Sequence, residues 1–412
     1  MGRRRIAFIL LAALLSVPSF GIGASKADAK KIKKITASDV VLFYAGGELG
    51  NYYDQKYAAD YVSYVDREGE EHWLFDGFLL LQIWDTKAEN ASEVTFTPGM
   101  KDGNGNWLPS ANQADWKKLV DYYFSEGNCI DAIDKAVGEA AKRLGKPAEK
   151  RQIIISIPDP MPYRQPMTKK GGTTYWGLID GKVTDFSDEN DRAAACKWFV
   201  DEVLKAYKSK KYENVELAGF YWITEDFRDK SPLLPMVSDY VHSKGYPITW
   251  IPYFQAPGYT EWREKGFDLA WYQPNYFFYN VPESQIKTAC EQAQANGMGM
   301  EMELDERATV KPLWGDESLA YKLRAYMKTS VAHGLIANWL TIKAPTPSVT
   351  SRTPQIPVTL NSTRISAISS PSVRTETSKK PWCVNVNLLR TRQQIQCART
   401  SDKAINAPIR VE

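Results

Sequence analysis

A short acidic segment near residue 300 alternates two kinds of side chain. It reads GMGMEMELDE over residues 297–306, and it places Met and Leu on one parity and Glu301 and Glu303 on the other. Successive side chains of a strand point to opposite faces, so the pattern predicts a strand with one apolar and one acidic face. Two carboxyl groups on one face are candidates for proton transfer or nucleophilic attack.

A second acidic segment, WITED over residues 222–226, follows an apolar run. Glycoside hydrolysis needs two carboxyl groups, one to protonate the leaving oxygen and one to attack the anomeric carbon or activate water. We interpret Glu225 as the acid/base and Glu303 as the nucleophile, with Glu301 one layer deeper as a positioning or sugar-binding group. The sequence leaves open an exchange of roles between Glu301 and Glu303, and a purely structural role for each carboxylate.

The elements that must position these residues alternate along the chain. Eight near-continuous apolar runs, typical of parallel strands buried on both faces, alternate with segments of helical spacing. This alternation predicts an α/β fold, a (β/α)8 TIM-like barrel, and a doubly wound open sheet is the alternative. The predicted strands are residues 40–47, 75–85, 151–160, 217–226, 247–256, 269–278, 297–306 and 333–340.

Helical patterns fill most of the gaps between these strands. The first crossover, residues 53–66, and the fifth, residues 259–265, are short and weak. No helical pattern follows the eighth strand, so the eighth helix is predicted to be missing or replaced by a disordered tail. The predicted helices are residues 112–144, 189–210, 233–244, 282–296 and 317–332.

In such a barrel the carboxyl ends of the strands form the active-site face. Carboxylate, amide and aromatic residues meet at those ends, and this set suits a sugar, because polar groups bind its hydroxyls and aromatic rings stack on its apolar faces. The predicted substrate-binding residues are Trp84, Asp85, Asp159, Tyr253, Gln255, Tyr272, Gln273, Asn275, Asn338 and Trp339.

The ends of the chain differ in composition from its middle. Residues 1–29 combine three arginines, an apolar run and small residues, which predicts a signal peptide and a secreted, periplasmic or extracellular protein. Residues 30–38 are predicted to be a basic linker, and residues 39–344 the barrel. Residues 345–412 are rich in Ser, Thr, Pro and Arg, and we interpret them as a disordered tail or as the product of a shifted reading frame.

Charge and composition limit the partners. Basic residues concentrate in the two end segments, so the barrel segment is acidic although the whole chain carries +3, which argues against a nucleic-acid partner. After removal of the signal we expect no stable membrane insertion, and the oligomeric state stays open. The three histidines are too scattered for a usual metal centre, so we expect neither a metal nor a cofactor. Cys129, Cys196 and Cys290 are predicted to be buried apolar residues rather than disulfide partners.

The segments GFYWITED, WIPYFQA, YQPNYFF and GMEMELDE resemble a family of secreted bacterial proteins described as domain of unknown function 4855. The resemblance covers residues 40–340 and implies a glycosidase-like protein. The placement of Glu225 and Glu303 also resembles the retaining barrel glycosidases with catalytic glutamates on strands four and seven. That clan usually has Asn before its acid/base, where this chain has Thr224. We therefore expect a secreted, retaining glycoside hydrolase, and the alternative is a noncatalytic carbohydrate-binding or cell-surface protein on a barrel scaffold.

Overall fold

A computed structural model describes the middle of the chain. The predicted signal peptide, the predicted tail and Asn338 lie outside the described residues, and Glu306 and residues 330–332 and 339–343 are described by their backbone alone. The described residues are 31–45, 53–66, 68–85, 94–98, 100, 108–161, 175–227, 231–308, 318–332 and 339–343.

Eight parallel strands close into a barrel, as the sequence predicts. Each strand pairs with its neighbour along the chain, and the last pairs with the first through Trp339 opposite Asp39. This closure excludes the open sheet and brings all eight carboxyl ends to one mouth. The strands are β1 (Asp39–Tyr44), β2 (Gly77–Leu81), β3 (Arg151–Ile157), β4 (Val215–Trp222), β5 (Ile248–Trp250), β6 (Leu269–Tyr272), β7 (Gly299–Leu304) and β8 (Trp339–Lys343).

The helices follow the predicted spacing with two differences. Residues 112–144 form two helices rather than one, because the chain turns between them at Gly127, whose φ is 77°. The fifth crossover contains turns and no helix. The described helices are α1 (Gln55–Val62), α2 (Gln113–Tyr123), α3 (Cys129–Leu144), α4 (Glu189–Ser209), α5 (Leu233–Ser243), α6 (Ser284–Asn296) and α7 (Ala320–Ala332), with a short 3-10 turn at Glu306–Ala308.

Local signals set the ends of several helices. The Asp188 carboxylate accepts a hydrogen bond from the amide of Asn190 and begins α4. Gly297 ends α6 in the left-handed conformation, at a φ of 62°, which glycine adopts readily. The chain then turns directly into β7, so this glycine fixes where the acidic strand starts.

Each barrel strand is covered on both faces. Met300 and Met302 of β7 pack outward in the layer shared with the helices. Residues of the opposite parity on neighbouring strands, including Tyr221 and Trp271, fill the barrel interior. Burial on both sides explains why most strands read as continuous apolar runs. Three short antiparallel hairpins lie outside the barrel in the described part of the chain: Ser63–Val65 with Glu71–Trp73, Trp84–Asp85 with Val94–Thr95, and Tyr175–Ile179 with Lys182–Asp185.

The segment predicted to be a basic linker lies against the amino-terminal end of the barrel. Lys33 donates its amide to the carbonyl of Gly245 at 3.0 Å. The amides of Thr36 and Ala37 donate to Gln152 Oε1 at 2.8 and 3.0 Å. These bonds tie residues 31–38 to the first residues of the strands, at the end of the barrel opposite the mouth.

Three cysteines confirm their predicted role as small buried residues: Cys129, Cys196 and Cys290 are free and buried. In the part of the chain that the structure describes, none of the helices is long and apolar enough to span a bilayer.

Candidate active site

The acidic face of β7 points into the barrel, as its alternation predicts. Glu301 is fully buried and Glu303 is 4% exposed, while Met300 and Met302 face the helices. Asp305 follows on the same parity, but its carboxylate is bound by the guanidinium of Arg307 at 2.8–3.1 Å. Glu301 and Glu303 are therefore the two carboxyls of β7 without an ion-pair partner among the described residues.

Three groups of the protein hold Glu303 in place. Its Oε2 atom accepts hydrogen bonds from the amide of Tyr276 at 3.1 Å and from the hydroxyl of Tyr326 at 3.2 Å. The backbone of Asn275 also stabilises the charged form of Glu303. Asn275 adopts the left-handed conformation, with φ at 49°, so successive amides turn toward one carboxylate.

Glu225, at the end of β4, has a different environment. Its side chain is exposed to water at the mouth, although protein atoms crowd its carboxyl from the sides. Its Oε1 atom accepts a hydrogen bond from Gln273 Nε2 at 2.9 Å. Desolvation raises the pKa of Glu225, the bond from Gln273 opposes this, and the charge of Asp226 adds to it.

The three carboxyls interact through their charges. Desolvation raises the pKa of Glu303 to about 7, which its hydrogen-bond donors oppose and the charge of Glu225 reinforces. Desolvation, followed by the charges of Glu303 and Glu225, raises the pKa of Glu301 well above its ordinary value. Tyr221, in the barrel interior, feels the charges of both Glu225 and Glu301. Glu225, which follows β4, and the two glutamates of β7 thus form one electrostatic cluster at the mouth, here called the carboxyl cluster.

Glu301 is the deepest member of the carboxyl cluster. Neither of its oxygens has a hydrogen-bond partner among the described residues. An ionised carboxylate in this position would lack compensation for the loss of water, so the protonated form is favoured. Burial therefore raises the pKa of Glu301 and favours its protonated form in the folded protein.

Several predicted binding residues gather around the end of β4. Gln273 reaches Glu225, and the hydroxyl of Tyr253 donates to Asp226 Oδ2 at 2.9 Å. Thr224 Oγ1 donates to Asp159 Oδ2 at 2.7 Å. The mouth thus contains a polar network that links β3, β4, β5 and β6.

Other predicted binding residues have different surroundings. Tyr272 is not in the mouth: its ring packs in the layer between strands and helices, where its hydroxyl bonds the amide of Gln255 and the side chain of Gln292. The side-chain oxygen of Asn275 accepts the amide of Phe254 at 2.6 Å, so it supports backbone. The side chain of Gln255 is exposed.

The remaining predicted residues lie in two places, the hairpin that follows β2 and the start of β8. Trp84 and Asp85 are half-buried in the short hairpin after β2. Trp339 is the first residue of β8, at the opposite end of that strand from the mouth.

Tyr326 and the amide of Tyr276 are site groups that sequence reasoning missed. Tyr326 lies in α7, 23 residues from Glu303, at a spacing that equally suits a core residue. Within the described residues, no group of three His, Cys, Asp or Glu side chains could hold a metal ion. A pocket with a volume of about 580 Å³ lies between α1 and α3, and no member of the carboxyl cluster lines it.

The fold and its mouth define a (β/α)8-type barrel protein with an acidic strand-end face. Residues 39–342 match the family described as domain of unknown function DUF4855, which is more than half of the chain, and the protein belongs to this family. A search among curated proteins finds no match.

Solved structures are similar to this chain only at low sequence identity and low TM-score. A putative alpha-L-fucosidase from Bacteroides thetaiotaomicron is 14% identical, with 84% of this chain and 94% of that chain covered and a TM-score of 0.35. A family 18 chitinase from Crocus vernus is 9% identical, with 74% of this chain and 91% of that chain covered and a TM-score of 0.35. The carboxyl transferase domain of Rhizobium etli pyruvate carboxylase is 10% identical, with 83% of this chain and 47% of that chain covered and a TM-score of 0.35. At these scores the likenesses carry no argument about activity.

Proposed function

We propose that this protein is a secreted glycoside hydrolase that cleaves a polysaccharide or oligosaccharide with retention of anomeric configuration. One observation carries the proposal: Glu225 and Glu303 are coupled electrostatically at the barrel mouth, one reachable by water and the other held by hydrogen-bond donors. A retaining mechanism needs one carboxyl of each kind.

Glu303 is the proposed nucleophile. Its donors, the amide of Tyr276 and the hydroxyl of Tyr326, favour the ionised form and restrict the orientation of the carboxylate. Glu303 attacks the anomeric carbon, forming a glycosyl–enzyme ester as the bond to the leaving oxygen breaks. Because burial favours the protonated form of Glu301, a second negative charge beside Glu303 is disfavoured.

Glu225 is the proposed acid/base. It gives its proton to the leaving oxygen in the first step, and in the second it takes a proton from the water that releases the sugar from Glu303. Its exposure allows this exchange with water. In the free protein Glu303 is the more deeply buried group, and its burial favours a proton there. A sugar over the mouth would displace water from Glu225 and raise the pKa of Glu225, so that Glu225 carries the proton in the complex.

Exposed aromatic rings support a carbohydrate as the substrate. Phe278, Tyr279 and Tyr321 are 39%, 53% and 49% exposed. Phe278 and Tyr279 belong to the loop after β6 that also supplies the Tyr276 amide to Glu303. Tyr321 interacts electrostatically with Tyr276 of the same loop. Exposed aromatic rings in a loop that contacts the carboxyl cluster suit the apolar faces of sugar rings.

A screen on glycans and aryl glycosides tests the proposal. Wild type, Glu225→Ala, Glu303→Ala and the surface control Glu264→Ala are compared for release of reducing sugar. On any cleaved substrate, the first product anomer seen by NMR should retain the configuration of the substrate, and Glu264→Ala should match wild type. Glycan binding without cleavage by wild type would overturn the proposal in favour of a noncatalytic binding protein, and an inverted first product would overturn the assigned mechanism.

A further inference from the structure

A buried lysine of α7 contacts the loop that follows β6. Lys322 is 7% exposed. Its Nζ atom donates to the carbonyl oxygens of Tyr276 at 2.9 Å, Phe277 at 3.0 Å and Tyr279 at 2.7 Å. An ammonium group carries three N–H donors, so one side chain can serve all three carbonyls. The same atom lies 4.9 Å from the centroid of the Tyr276 ring.

Tyr276 connects this lysine to the carboxyl cluster. Its carbonyl accepts from Lys322, and its amide donates to Glu303 Oε2. Tyr326 lies one helical turn after Lys322 and donates its hydroxyl to the same Oε2 atom. One face of α7 therefore reaches Glu303 in two ways, directly through Tyr326 and indirectly through the loop.

Burial of the Lys322 ammonium group is energetically unfavourable without compensating hydrogen bonds. Removing a charge from water is unfavourable unless hydrogen bonds compensate, and an apolar side chain of similar volume is often as good for stability. The irregular backbone of residues 276–279 provides that compensation, because its carbonyls would otherwise lack partners from a helix or sheet. The arrangement thus fixes the backbone at the point where its amide meets Glu303.

We propose that Lys322 is a positioning residue for Glu303: it holds residues 276–279 so that the Tyr276 amide faces the Glu303 carboxylate. Any effect of Lys322 on turnover rests on the proposed function. The effect of Lys322 on the ionisation of Glu303 does not rest on it, because a titration of Glu303 needs no substrate.

The test follows the titration of Glu303 by NMR in protein carrying carbon-13 at the Glu carboxyls, with Glu303→Gln to assign the signal. Lys322→Met should raise the pKa of Glu303 by about one unit, the size expected from losing one hydrogen bond to a charged group. Hydrogen exchange of the Tyr276 amide should accelerate at least about tenfold, since loss of the carbonyl contacts frees the loop.

Three further variants make the result specific. Arg324→Met removes an exposed cation from the same helix and should leave the titration of Glu303 unchanged. Tyr326→Phe should raise the pKa of Glu303 without accelerating exchange at Tyr276. Lys322→Arg keeps the charge, but its planar fork cannot reproduce the three carbonyl contacts, so it should shift the pKa in the same direction.

Unchanged titration of Glu303 together with unchanged exchange at Tyr276, in Lys322→Met or in Lys322→Arg if only that variant folds, would overturn the inference. A protein that cleaves no glycoside but shows these shifts would contradict the proposed function and leave the positioning role established.

Discussion

The ends of β4 and β7 place a glutamate in two contrasting environments. Glu225 has an exposed side chain and accepts a hydrogen bond from the side chain of Gln273, whereas Glu303 is buried beneath a loop and a helix that both donate to it. A group that must exchange protons with water has to be accessible, and a group that must attack one carbon has to be oriented. The difference therefore suggests which carboxyl does which task.

Substitution of Glu303 should give the largest effect. Glu303→Ala removes the group that forms the covalent intermediate, so turnover should fall below detection for substrates with good and with poor leaving groups alike. Steady-state rates on an activated aryl glycoside and on a natural glycan measure this. Near-normal activity in Glu303→Ala, with loss in Glu301→Ala, would show that the two roles are reversed.

The loss of rate caused by substitution of Glu225 should depend on the leaving group. Glu225→Ala should slow cleavage of poor leaving groups by about 10² to 10⁴-fold, the usual contribution of general acid catalysis, and should slow activated aryl glycosides much less. Azide needs no base, so it should restore the second step and give a glycosyl azide. Equal losses on both kinds of substrate, without azide rescue, would remove Glu225 from the acid/base role.

Glu301 extends the comparison to stability. Its pKa is about 4.5 when unfolded and well above that when folded. Between these values the folded state holds a proton that the unfolded state has released, so stability falls as pH rises. Glu301→Gln cannot ionise, so its stability relative to wild type should improve as the pH rises from 5 to 8.

Urea unfolding at the two pH values measures this difference. Glu264→Gln, an exposed glutamate, serves as the control and should keep a constant offset from wild type. Parallel pH profiles for Glu301→Gln and wild type would mean that Glu301 titrates normally in the folded protein.

The sequence predicted the barrel and the inward direction of Glu301 and Glu303 because both depend on local periodicity. A period of two with acid on one parity leaves little choice of face for β7. The strand containing Tyr272 has no such signal, since Trp271 and Tyr272 are both large and aromatic and both faces of the strand are buried. Periodicity therefore could not indicate that the Tyr272 ring packs in the layer shared with the helices.

The partners of Glu303 could not be predicted in the same way. The loop after β6 brings Tyr276 to it and the packing of α7 brings Tyr326, from 27 residues before and 23 residues after it in the chain. Lys322 falls between apolar residues of α7, where a lysine predicts an exposed position. The role of each depends on which loop packs against which helix, and this is information that periodicity does not contain.

The smallest expected effect concerns the aromatic rim beside Glu303. Tyr279 is half exposed, and the Lys322 contact uses its carbonyl rather than its ring. Tyr279→Ala should therefore keep the backbone contact and lose only a stacking surface. We expect KM for a long oligosaccharide to rise by a few-fold, with kcat and the rate on a small aryl glycoside unchanged. A fall in kcat on the small substrate would instead indicate that the ring helps to position Glu303, and unchanged KM on oligosaccharides of every length would exclude this ring from the sugar-binding surface.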